Sequence, residues 1–320
     1  MTLRQAQGAR ITVLNAQLRP LLEPHLPSWV DARWYAGKDE AFALAPDAEI
    51  GWFDMYSKDD MAEVFQRAAK LNWLNSVYAG VESFPLELLA QRGVVLTNGA
   101  GINAIPIAEY VVMLMLAHAK GYREIVRAQD RHEWLRDPPG KRELYGSTAL
   151  ILGYGAIGQA VEVRLAAFGV TVTKVRRSSG PGTLGPEEWR AQLGQFDWIV
   201  LAVPATAQTE HMIGANELAA MKSDAVLVNI ARGSVIDQTA MVTALDEGRI
   251  GGALLDVTTP EPLPEDHPLW ALDNAQITMH LSGRSQDRMY ERSAARFLVN
   301  LERYHRGEQL EPQVDYAAGY

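Results

Sequence analysis

The feature that most restricts the fold of this chain is a glycine pattern between a strand-like and a helix-like segment. The run GYGAIG, residues 153–158, follows the apolar run 148–152 and opens the helix-like segment 156–168. In this context the first glycine permits a tight turn, the second lets a pyrophosphate approach, and the third lets helix and strand pack closely. The helix N-terminus attracts phosphate. The pattern therefore predicts a dinucleotide site, against the alternative of a glycine-rich turn without a ligand. The predicted contacts are Gly153, Gly155, Ala156, Ile157 and Gly158.

The residues after the next strand-like run indicate which dinucleotide to expect. The run 170–175 leads into Arg176, Arg177 and Ser178, where an NAD enzyme usually carries Asp or Glu for the ribose hydroxyls. A carboxylate repels a 2′-phosphate, whereas guanidinium groups bind it through paired, charge-assisted hydrogen bonds. We therefore expect these three residues to bind NADP(H) in preference, with NAD(H) as the second cofactor. The alternative is that both arginines lie on a solvated loop.

Charge and cysteine content exclude several function classes. The 320 residues include 30 Lys or Arg and 39 Asp or Glu, a formal net charge of −9, whereas nucleic-acid binders usually carry a basic excess. The absence of cysteine excludes disulfides and thiolate metal sites, and no metal site is predicted. The first residues lack an apolar signal core, and the longest strongly apolar run, 111–117, is too short for a membrane span. We expect a cytoplasmic protein that binds neither nucleic acid nor membranes.

Strand-like runs alternate with helix-like segments along most of the chain. They occur before residue 100 and again after residue 147. This alternation predicts an α/β fold with doubly wound parallel sheets, each covered by helices on both faces. The segment Ile105–Lys120 is apolar nearly all round, which predicts a helix buried on all sides, between domains or at a subunit interface. We therefore expect a homodimer with two-fold symmetry, the commonest oligomer.

Three later segments place a polar side chain at or just beyond the end of a strand-like run. These residues are Arg232, Glu261 and His280. Ligands of open α/β sheets bind at the carboxyl edge of the strands, so the three side chains can converge although they are far apart in sequence. This position separates His280 from the other six histidines, which we interpret as structural.

In this order behind the glycine pattern, the segments resemble the D-isomer-specific 2-hydroxyacid dehydrogenase family. The resemblance covers nearly the whole chain, from residues 78–81 to the final helix. Within the family, the chain most resembles the glyoxylate/hydroxypyruvate reductases, because of residues Arg176 to Ser178. It implies two domains. A Rossmann-type nucleotide domain at 103–286 is expected as an insertion into a flavodoxin-like substrate domain, made of 1–102 and 287–320.

The resemblance also implies a role for each matched residue. Arg232 is expected to bind the substrate carboxylate and polarise the C2 carbonyl, which suits a planar guanidinium. His280 is expected to exchange a proton with the C2 oxygen, while Glu261 holds its imidazole. Asp256 is expected near the nicotinamide carboxamide. The further cofactor contacts implied are Val203, Pro204, Thr209, Ile230 and Ala231, and the further substrate contacts are the backbone groups of Ala79, Gly80 and Val81.

The function implied is NADPH-dependent reduction of a small 2-oxo acid, such as glyoxylate or hydroxypyruvate, to the D-2-hydroxy acid. Two alternatives stay open. One is an NADP(H)-dependent 2-hydroxyacid dehydrogenase for a bulkier 2-oxo acid, and the other is a nucleotide-sensing protein without catalysis. Candidates for the wall that limits substrate size are Trp52, Phe53, Met55 and Tyr78, with core packing as the alternative.

The chain departs from the family pattern next to the expected acid. Met279 stands where a proline usually precedes the histidine, which can alter the loop without changing the chemistry. Glu261 is present where the related formate dehydrogenases carry Gln, which disfavours formate as a substrate. Trp134 resembles an aromatic residue that some members insert into the active site of the partner subunit, with local packing as the alternative.

Overall fold

Two parallel sheets organise the chain, one in each of two units. The computed structural model describes residues 9–55, 57–81, 83–177, 180–284 and 288–319. The units are Met1–Ile102 with Ser285–Tyr320, and Asn103–Arg284. Every pair of described strands is parallel, and the predicted α/β class with doubly wound parallel sheets is confirmed. The boundary predicted between 286 and 287 lies outside the described residues.

Strands and helices alternate in the described part of the chain, as the sequence predicts. The strands are Arg10–Asn15 (β1), Val30–Tyr35 (β2), Ile50–Trp52 (β3), Trp73–Asn75 (β4), Val95–Thr97 (β5), Thr148–Leu152 (β6), Thr171–Val175 (β7), Thr183–Leu184 (β8), Trp198–Leu201 (β9), Val226–Asn229 (β10), Gly252–Leu255 (β11) and Ala275–Ile277 (β12). The α-helices are Arg19–Leu22 (α1), Lys38–Leu44 (α2), Lys58–Arg67 (α3), Leu86–Gln91 (α4), Ala104–Ala119 (α5), Tyr122–Asp130 (α6), Ala156–Ala167 (α7), Ala215–Ala220 (α8), Gln238–Asp246 (α9) and Met289–Arg306 (α10).

The first unit carries a five-stranded sheet in the order β2-β1-β3-β4-β5. This is the flavodoxin-like order, in which the direction of strand addition reverses between β1 and β3. Residues that follow the carboxyl ends of these strands are therefore the ones that the sheet gathers at a ligand-binding edge. Asp54 follows β3, and the segment Ser76–Val81 follows β4.

An aromatic cluster attaches the C-terminal helix α10 to this sheet. The Trp73 ring lies 4.9 Å from the ring of Phe297 and 5.7 Å from that of Tyr304, between centroids. The Trp52 ring lies 5.2 Å from that of Phe297. Trp52 and Phe53 are each 1% exposed, so both are core residues rather than a pocket wall. The two ends of the chain thus share one core, which the pattern of either end alone does not reveal.

The second unit carries a seven-stranded sheet in the order β12-β11-β10-β9-β6-β7-β8. The order reverses between β6 and β9, which is the Rossmann arrangement, and the glycine turn follows β6. Every residue of β9 and β10 is buried. Strands buried on both faces have continuous apolar sequences, which is why these runs are recognisable in the sequence.

Helix α5 is less buried than its composition predicts. Ile105 and Met113 are 45% and 48% exposed, and Glu109, midway between them, is also exposed. Residues four apart lie on one helix face, so these three form an exposed stripe. The prediction of burial on all sides is therefore wrong for the chain taken alone. None of the described helices is by itself long and apolar enough to span a membrane, and α5 and α6, bent by 69°, meet that test only as a pair.

Candidate active site

The turn after β6 has the geometry that its glycines predict. Gly153 has a φ of +97°, and a Cβ there would lie 2.5 Å from the carbonyl oxygen of Ala202. A Cβ on Gly158 would lie 2.4 Å from the Gly153 oxygen, so only glycine lets α7 pack this close to β6. A Cβ built on Gly155 would have no atom of the described residues within 4 Å, if its two neighbours in the chain are left out. The backbone at Gly155 is therefore open to the approach of a pyrophosphate.

The amino end of α7 has no capping side chain. Gly155 is the N-cap residue, and its carbonyl accepts the N–H of Gln159. Within the described residues, the N–H groups of Ala156, Ile157 and Gly158 are donated to no acceptor. Unpaired N–H groups at the positive end of a helix dipole attract phosphate. These residues therefore fit the pyrophosphate of a dinucleotide.

The basic segment after β7 lies on the surface. Arg176 and Arg177 are both exposed, and the Arg176 N–H donates to the carbonyl of Leu184 in β8 at 3.1 Å. Ser178, the third predicted contact here, lies outside the described residues. Exposed guanidinium groups at the end of the second Rossmann strand lie where an adenosine ribose binds in this fold. Their placement fits a 2′-phosphate.

A cluster beside the glycine turn is not predicted by the sequence. The Nζ of Lys174 and the hydroxyl of Tyr154 both donate to the Glu162 carboxylate. Lys174 Nζ also stands 5.1 Å from the centre of the Tyr154 ring. These contacts fix the side chain of the second residue of the glycine run against α7 and β7. The sequence signal for such a cluster is a lysine among the threonines and valines of β7.

In the loop after β9, the hydroxyl of Thr209 bridges two backbone groups. Thr209 Oγ1 accepts the N–H of Thr206 at 2.8 Å and donates to the carbonyl of Pro204 at 2.7 Å. Val203 is half-buried and Pro204 is exposed. These residues follow the strand that borders β6 where the sheet order reverses, which is the place where ligands bind in such sheets. Thr209 therefore shapes the loop that presents Val203 and Pro204.

The loop that carries Arg232 is held by the buried side chain of Asn229. Asn229 Oδ1 accepts the N–H of Ala231 at 3.0 Å, and its Nδ2 donates to the carbonyl of Arg232 at 3.0 Å. Ile230 and Ala231 are each 6% exposed. A Cβ on Gly233 would lie 2.1 Å from the carbonyl oxygen of Thr258. Glycine at this position therefore lets the Arg232 loop pack directly against the loop after β11.

The loop after β11 carries Glu261, whose carboxylate lies within hydrogen-bond distance of the His280 ring. Glu261 Oε2 lies 2.8 Å from His280 Nδ1, and the N–H of Thr258 donates to Glu261 Oε1 at 3.2 Å. The two side chains are 38% and 43% exposed, so the ring remains accessible. The sequence-predicted partners Glu261 and His280 are thus in contact, and Arg232 lies on the loop packed beside them.

A buried carboxylate holds the loop that presents His280. Asp256 is 2% exposed, and its Oδ1 accepts the hydroxyl of Thr278 at 2.8 Å and the N–H of Leu281 at 3.0 Å. Its Oδ2 accepts the Ser282 hydroxyl at 2.5 Å. The backbone carbonyl of Asp256 accepts the His280 N–H at 2.5 Å. Asp256 thus forms hydrogen bonds with residues that precede His280 and with residues that follow it.

The backbone of this loop explains the departure from the family pattern at Met279. Met279 and His280 have φ values of +56° and +57°, in the left-handed region. Proline is fixed at φ near −65°, so it cannot occupy this conformation at position 279. Consecutive non-glycine residues in the left-handed region are strained and persist only where other contacts impose them. The contacts of Asp256 are those constraints.

In the first unit, the predicted substrate loop presents a row of N–H groups. Within the described residues, the N–H groups of Ala79, Gly80 and Val81 are donated to no acceptor. The carbonyl of Ala79 accepts Asn98 Nδ2 at 2.8 Å, so the loop is fixed through its oxygen atoms. Successive unpaired N–H groups form an anion-binding concavity. This loop therefore fits a carboxylate.

Gln238 is a further residue of the site that the sequence does not identify. Its Oε1 accepts the N–H of Thr259 at 2.9 Å, and its Nε2 donates to the carbonyl of Thr259 at 2.5 Å. The side chain thus binds both polar backbone groups of the residue two before Glu261. A lone glutamine at the start of α9 carries no sequence signal for this contact.

Comparison with known sequences adds to this geometry. Residues 112–282 match the family model described as D-isomer specific 2-hydroxyacid dehydrogenase, NAD binding domain. A D-3-phosphoglycerate dehydrogenase from Methanocaldococcus jannaschii is 34% identical over 265 residues, 79% of this chain and 49% of that protein. The chain therefore spans about half the length of that relative. A glyoxylate reductase from Korarchaeum cryptofilum is 35% identical over 256 residues, 77% of each chain.

Solved structures of similar fold cover almost the whole chain. A D-isomer specific 2-hydroxyacid dehydrogenase family protein from Aeromonas salmonicida is 30% identical, with a TM-score of 0.85 over 97% of this chain and 100% of that one. An NADPH-dependent glyoxylate/hydroxypyruvate reductase from Sinorhizobium meliloti, in complex with NADP and sulfate, is 25% identical. Its TM-score is 0.80, over 98% of this chain and 100% of that one.

The two exposed arginines after β7 generate a binding prediction. Replacing Arg176 and Arg177 together by Ala should weaken NADPH binding by about 2–4 kcal/mol, at up to about 2 kcal/mol for each charge-assisted contact. NADH, which lacks the 2′-phosphate, should bind nearly unchanged. Fluorescence titration of both nucleotides measures this, with Arg249→Ala as the exposed-arginine control. Equal losses for the two nucleotides would contradict the assignment.

Proposed function

Because the chain belongs to the D-isomer-specific 2-hydroxyacid dehydrogenase family, we propose that it reduces a small 2-oxo acid to the D-2-hydroxy acid with NADPH. The substrate is of the glyoxylate or hydroxypyruvate type. The observation that carries the proposal is the 2.8 Å contact of His280 with Glu261, on loops that adjoin the loop of Arg232. The glyoxylate reductase relative and the NADP complex of the Sinorhizobium meliloti reductase support the substrate class and the cofactor.

His280 is the proton donor in the proposed reaction. Since Glu261 occupies Nδ1, the other ring nitrogen, Nε2, is left to give its proton to the C2 oxygen. In the reverse direction the same nitrogen accepts the proton of the hydroxyl group.

Arg232 and the loop after β4 bind the substrate carboxylate. The planar guanidinium of Arg232 gives two parallel hydrogen bonds to a carboxylate and draws electron density from the adjacent C2 carbonyl. The N–H groups of Ala79, Gly80 and Val81 add neutral donors. The paired bonds from Arg232 hold the carbonyl carbon in one orientation, and such positioning contributes to the rate.

The cofactor is held by residues of the second unit. The amino end of α7 binds the pyrophosphate, Arg176 and Arg177 bind the 2′-phosphate, and Ile230 and Asp256 lie toward the nicotinamide. When bound, NADPH supplies the hydride that reduces C2. NAD(H), without the 2′-phosphate, is the weaker alternative.

Tyr78 is the residue that we expect to limit substrate size. Of the four candidates for the pocket wall, Trp52 and Phe53 lie in the core, whereas Tyr78 is 41% exposed. Its hydroxyl donates to the carbonyl of Met55 at 3.2 Å, which fixes the ring beside the carboxylate-binding loop. A fixed aromatic ring next to that loop favours a short side chain on the 2-oxo acid.

A panel of 2-oxo acids tests the proposal. NADPH oxidation should be fastest with glyoxylate or hydroxypyruvate and slower with 2-oxoisovalerate and phenylpyruvate, because the fixed ring excludes bulk. The preference for NADPH over NADH should appear in kcat/KM, mostly through KM. Fastest turnover of a branched or aromatic substrate would favour the alternative dehydrogenase, and binding of NADPH without turnover of any 2-oxo acid would favour the sensor.

Exchange of Glu261 for Gln tests the acid. The N–H of Thr258 keeps the amide oxygen at the Oε1 position, so the amide nitrogen faces His280 Nδ1 and donates to it. The ring is then held neutral, with its proton on Nε2. We expect kcat to fall roughly 10²- to 10⁴-fold in both directions, since reduction loses the imidazolium and oxidation loses the free base.

The control for this exchange is Glu265→Gln, an exposed carboxylate on the same loop. His280→Ala should lower kcat by a similar factor, roughly 10²- to 10⁴-fold, while NADPH binding stays the same. Steady-state kinetics and nucleotide titration separate the two effects. Full activity of either His280→Ala or Glu261→Gln would place the acid elsewhere.

We also propose a homodimer that covers the exposed face of α5. Trp134 is 94% exposed, so the alternative that it packs locally is wrong, and Ile105 and Met113 add exposed apolar surface on the same unit. Sedimentation at micromolar concentration should give one species of twice the chain mass. Met113→Glu should shift it toward monomer, whereas Val299→Glu, on the exposed face of α10, should not. A monomeric wild-type protein would refute the dimer.

A further inference from the structure

Asp54 is a half-buried carboxylate that the proposed mechanism leaves unused. It follows β3, at the edge where the order of the first sheet reverses. The hydroxyl of Ser76 donates to its Oδ1 at 2.6 Å. The N–H of Val77 and the indole Nε1–H of Trp52 donate to its Oδ2, at 2.6 Å each. Three donors from two strand ends thus converge on one side chain.

These hydrogen bonds lead directly to the carboxylate-binding loop. The Tyr78 N–H donates to the oxygen of the same Ser76 hydroxyl at 3.0 Å, so Asp54 fixes Tyr78 through one intermediate atom. The carbonyl of Tyr78 accepts the N–H of Gly99 at 2.8 Å. The turn at Tyr78 is therefore held from two directions, by Asp54 through Ser76 and by the N–H of Gly99. The next three N–H groups, of residues 79–81, are the ones without an acceptor in the described residues.

We propose that Asp54 is a positioning residue that sets the direction of the N–H donors of Ala79, Gly80 and Val81 toward the substrate carboxylate. This inference rests on the proposed function and deepens it. Asp54 does not touch the substrate in this account. It acts through Ser76 and the backbone of residues 77–78, and its removal should therefore weaken substrate binding more than it slows proton or hydride transfer.

The chemistry of the cluster requires an acceptor without a proton. All three partners of Asp54 donate, so a carboxylate satisfies them, whereas an amide or a protonated carboxyl brings a further hydrogen into the cluster. That hydrogen forces the Ser76 hydroxyl to turn from donor to acceptor. The Ser76 oxygen, which already accepts the Tyr78 N–H, would then accept a second hydrogen bond, and its own proton would lose Asp54 as acceptor, which changes how Ser76 holds the loop.

Burial raises the pKa of Asp54 to about 6, against the opposing effect of its three hydrogen bonds. The titratable groups that face it are the phenols of Tyr35, on β2, and Tyr78. Burial raises the pKa of both phenols, so neither is charged near neutral pH. Asp54 is thus ionised above pH 6 and takes up a proton as the pH falls through that value. The KM for the 2-oxo acid should be constant well above pH 6 and rise as the pH falls through it.

The experiment compares the wild-type protein with Asp54→Asn in glyoxylate reduction at saturating NADPH, from pH 5 to 8. At pH 7.5 the exchange should raise the KM for glyoxylate about tenfold or more, because the N–H donors of residues 79–81 would be misplaced. It should change kcat by less than about threefold. The KM of the variant should not change across pH 6. The Kd for NADPH should equal that of the wild type, because the nucleotide residues belong to the other unit. Asp39→Asn, an exposed aspartate on α2, is the matched control and should behave as wild type.

Ser76→Ala provides a second route if Asp54→Asn does not fold. It removes the atom that joins Asp54 to Tyr78 and should raise the KM for glyoxylate without changing that for NADPH. An Asp54→Asn protein with the wild-type KM and pH profile would overturn the inference and leave the proposed function intact. Equal loss of kcat, of glyoxylate binding and of NADPH binding would show a general structural defect and would also overturn it. A wild-type protein inactive with every 2-oxo acid would overturn both.

Discussion

The candidate site depends on the hydrogen bonds that the buried carboxylate of Asp256 accepts from the loop of His280. Asp256 stands just beyond β11 and accepts hydrogen bonds from Thr278, Leu281 and Ser282, on both sides of His280. These bonds fold the loop after β12 back over the end of the neighbouring strand. They hold Met279 and His280 in left-handed conformations that cost about 1–3 kcal/mol each. The backbone of the loop that carries His280 is therefore fixed by a residue at the end of the neighbouring strand β11, and not by β12, which this loop follows.

The same principle connects the other loops at the carboxyl edge of the second sheet. Strands β10, β11 and β12 are neighbours, so the loops that follow them are neighbours too. Gly233 brings the Arg232 loop against Thr258, and Glu261 on the next loop reaches His280 on the third. Arg232, Glu261 and His280 thus each follow a different strand, and contacts between neighbouring loops hold these three loops together. The loops of His280 and Arg232 are thus held in place by contacts between loops, which involve both backbone and side-chain groups.

Much of this arrangement can be predicted from the sequence. The buried strands β9 and β10 have continuous apolar runs, and polar residues at the ends of such runs indicate the edge where Arg232, Glu261 and His280 lie. The prediction fails where a residue acts through the backbone of a distant segment. Asp54 and Gln238 contact loops about 20 residues away, and neither belongs to a local pattern. Strand β2, of sequence VDARWY, is half-buried at most positions, and its mixed polarity gives no apolar run from which the strand can be predicted. Helix α5 appears buried all round by composition, but composition does not reveal its exposed stripe.

In the proposed reaction, Asp256 and Glu261 direct Nε2 of His280 at the C2 oxygen of a 2-oxo acid bound to Arg232. A crystal structure with NADP⁺ and oxalate, an unreactive analogue of glyoxylate, tests it most directly. One oxalate carboxylate should lie on the guanidinium of Arg232, and an oxygen of the other should lie at about 2.6–3.2 Å from His280 Nε2. Met279 and His280 should keep their positive φ values and their contacts with Asp256. Oxalate bound away from Arg232, or another side chain in place of His280 on that oxygen, would show that these residues do not have the proposed roles.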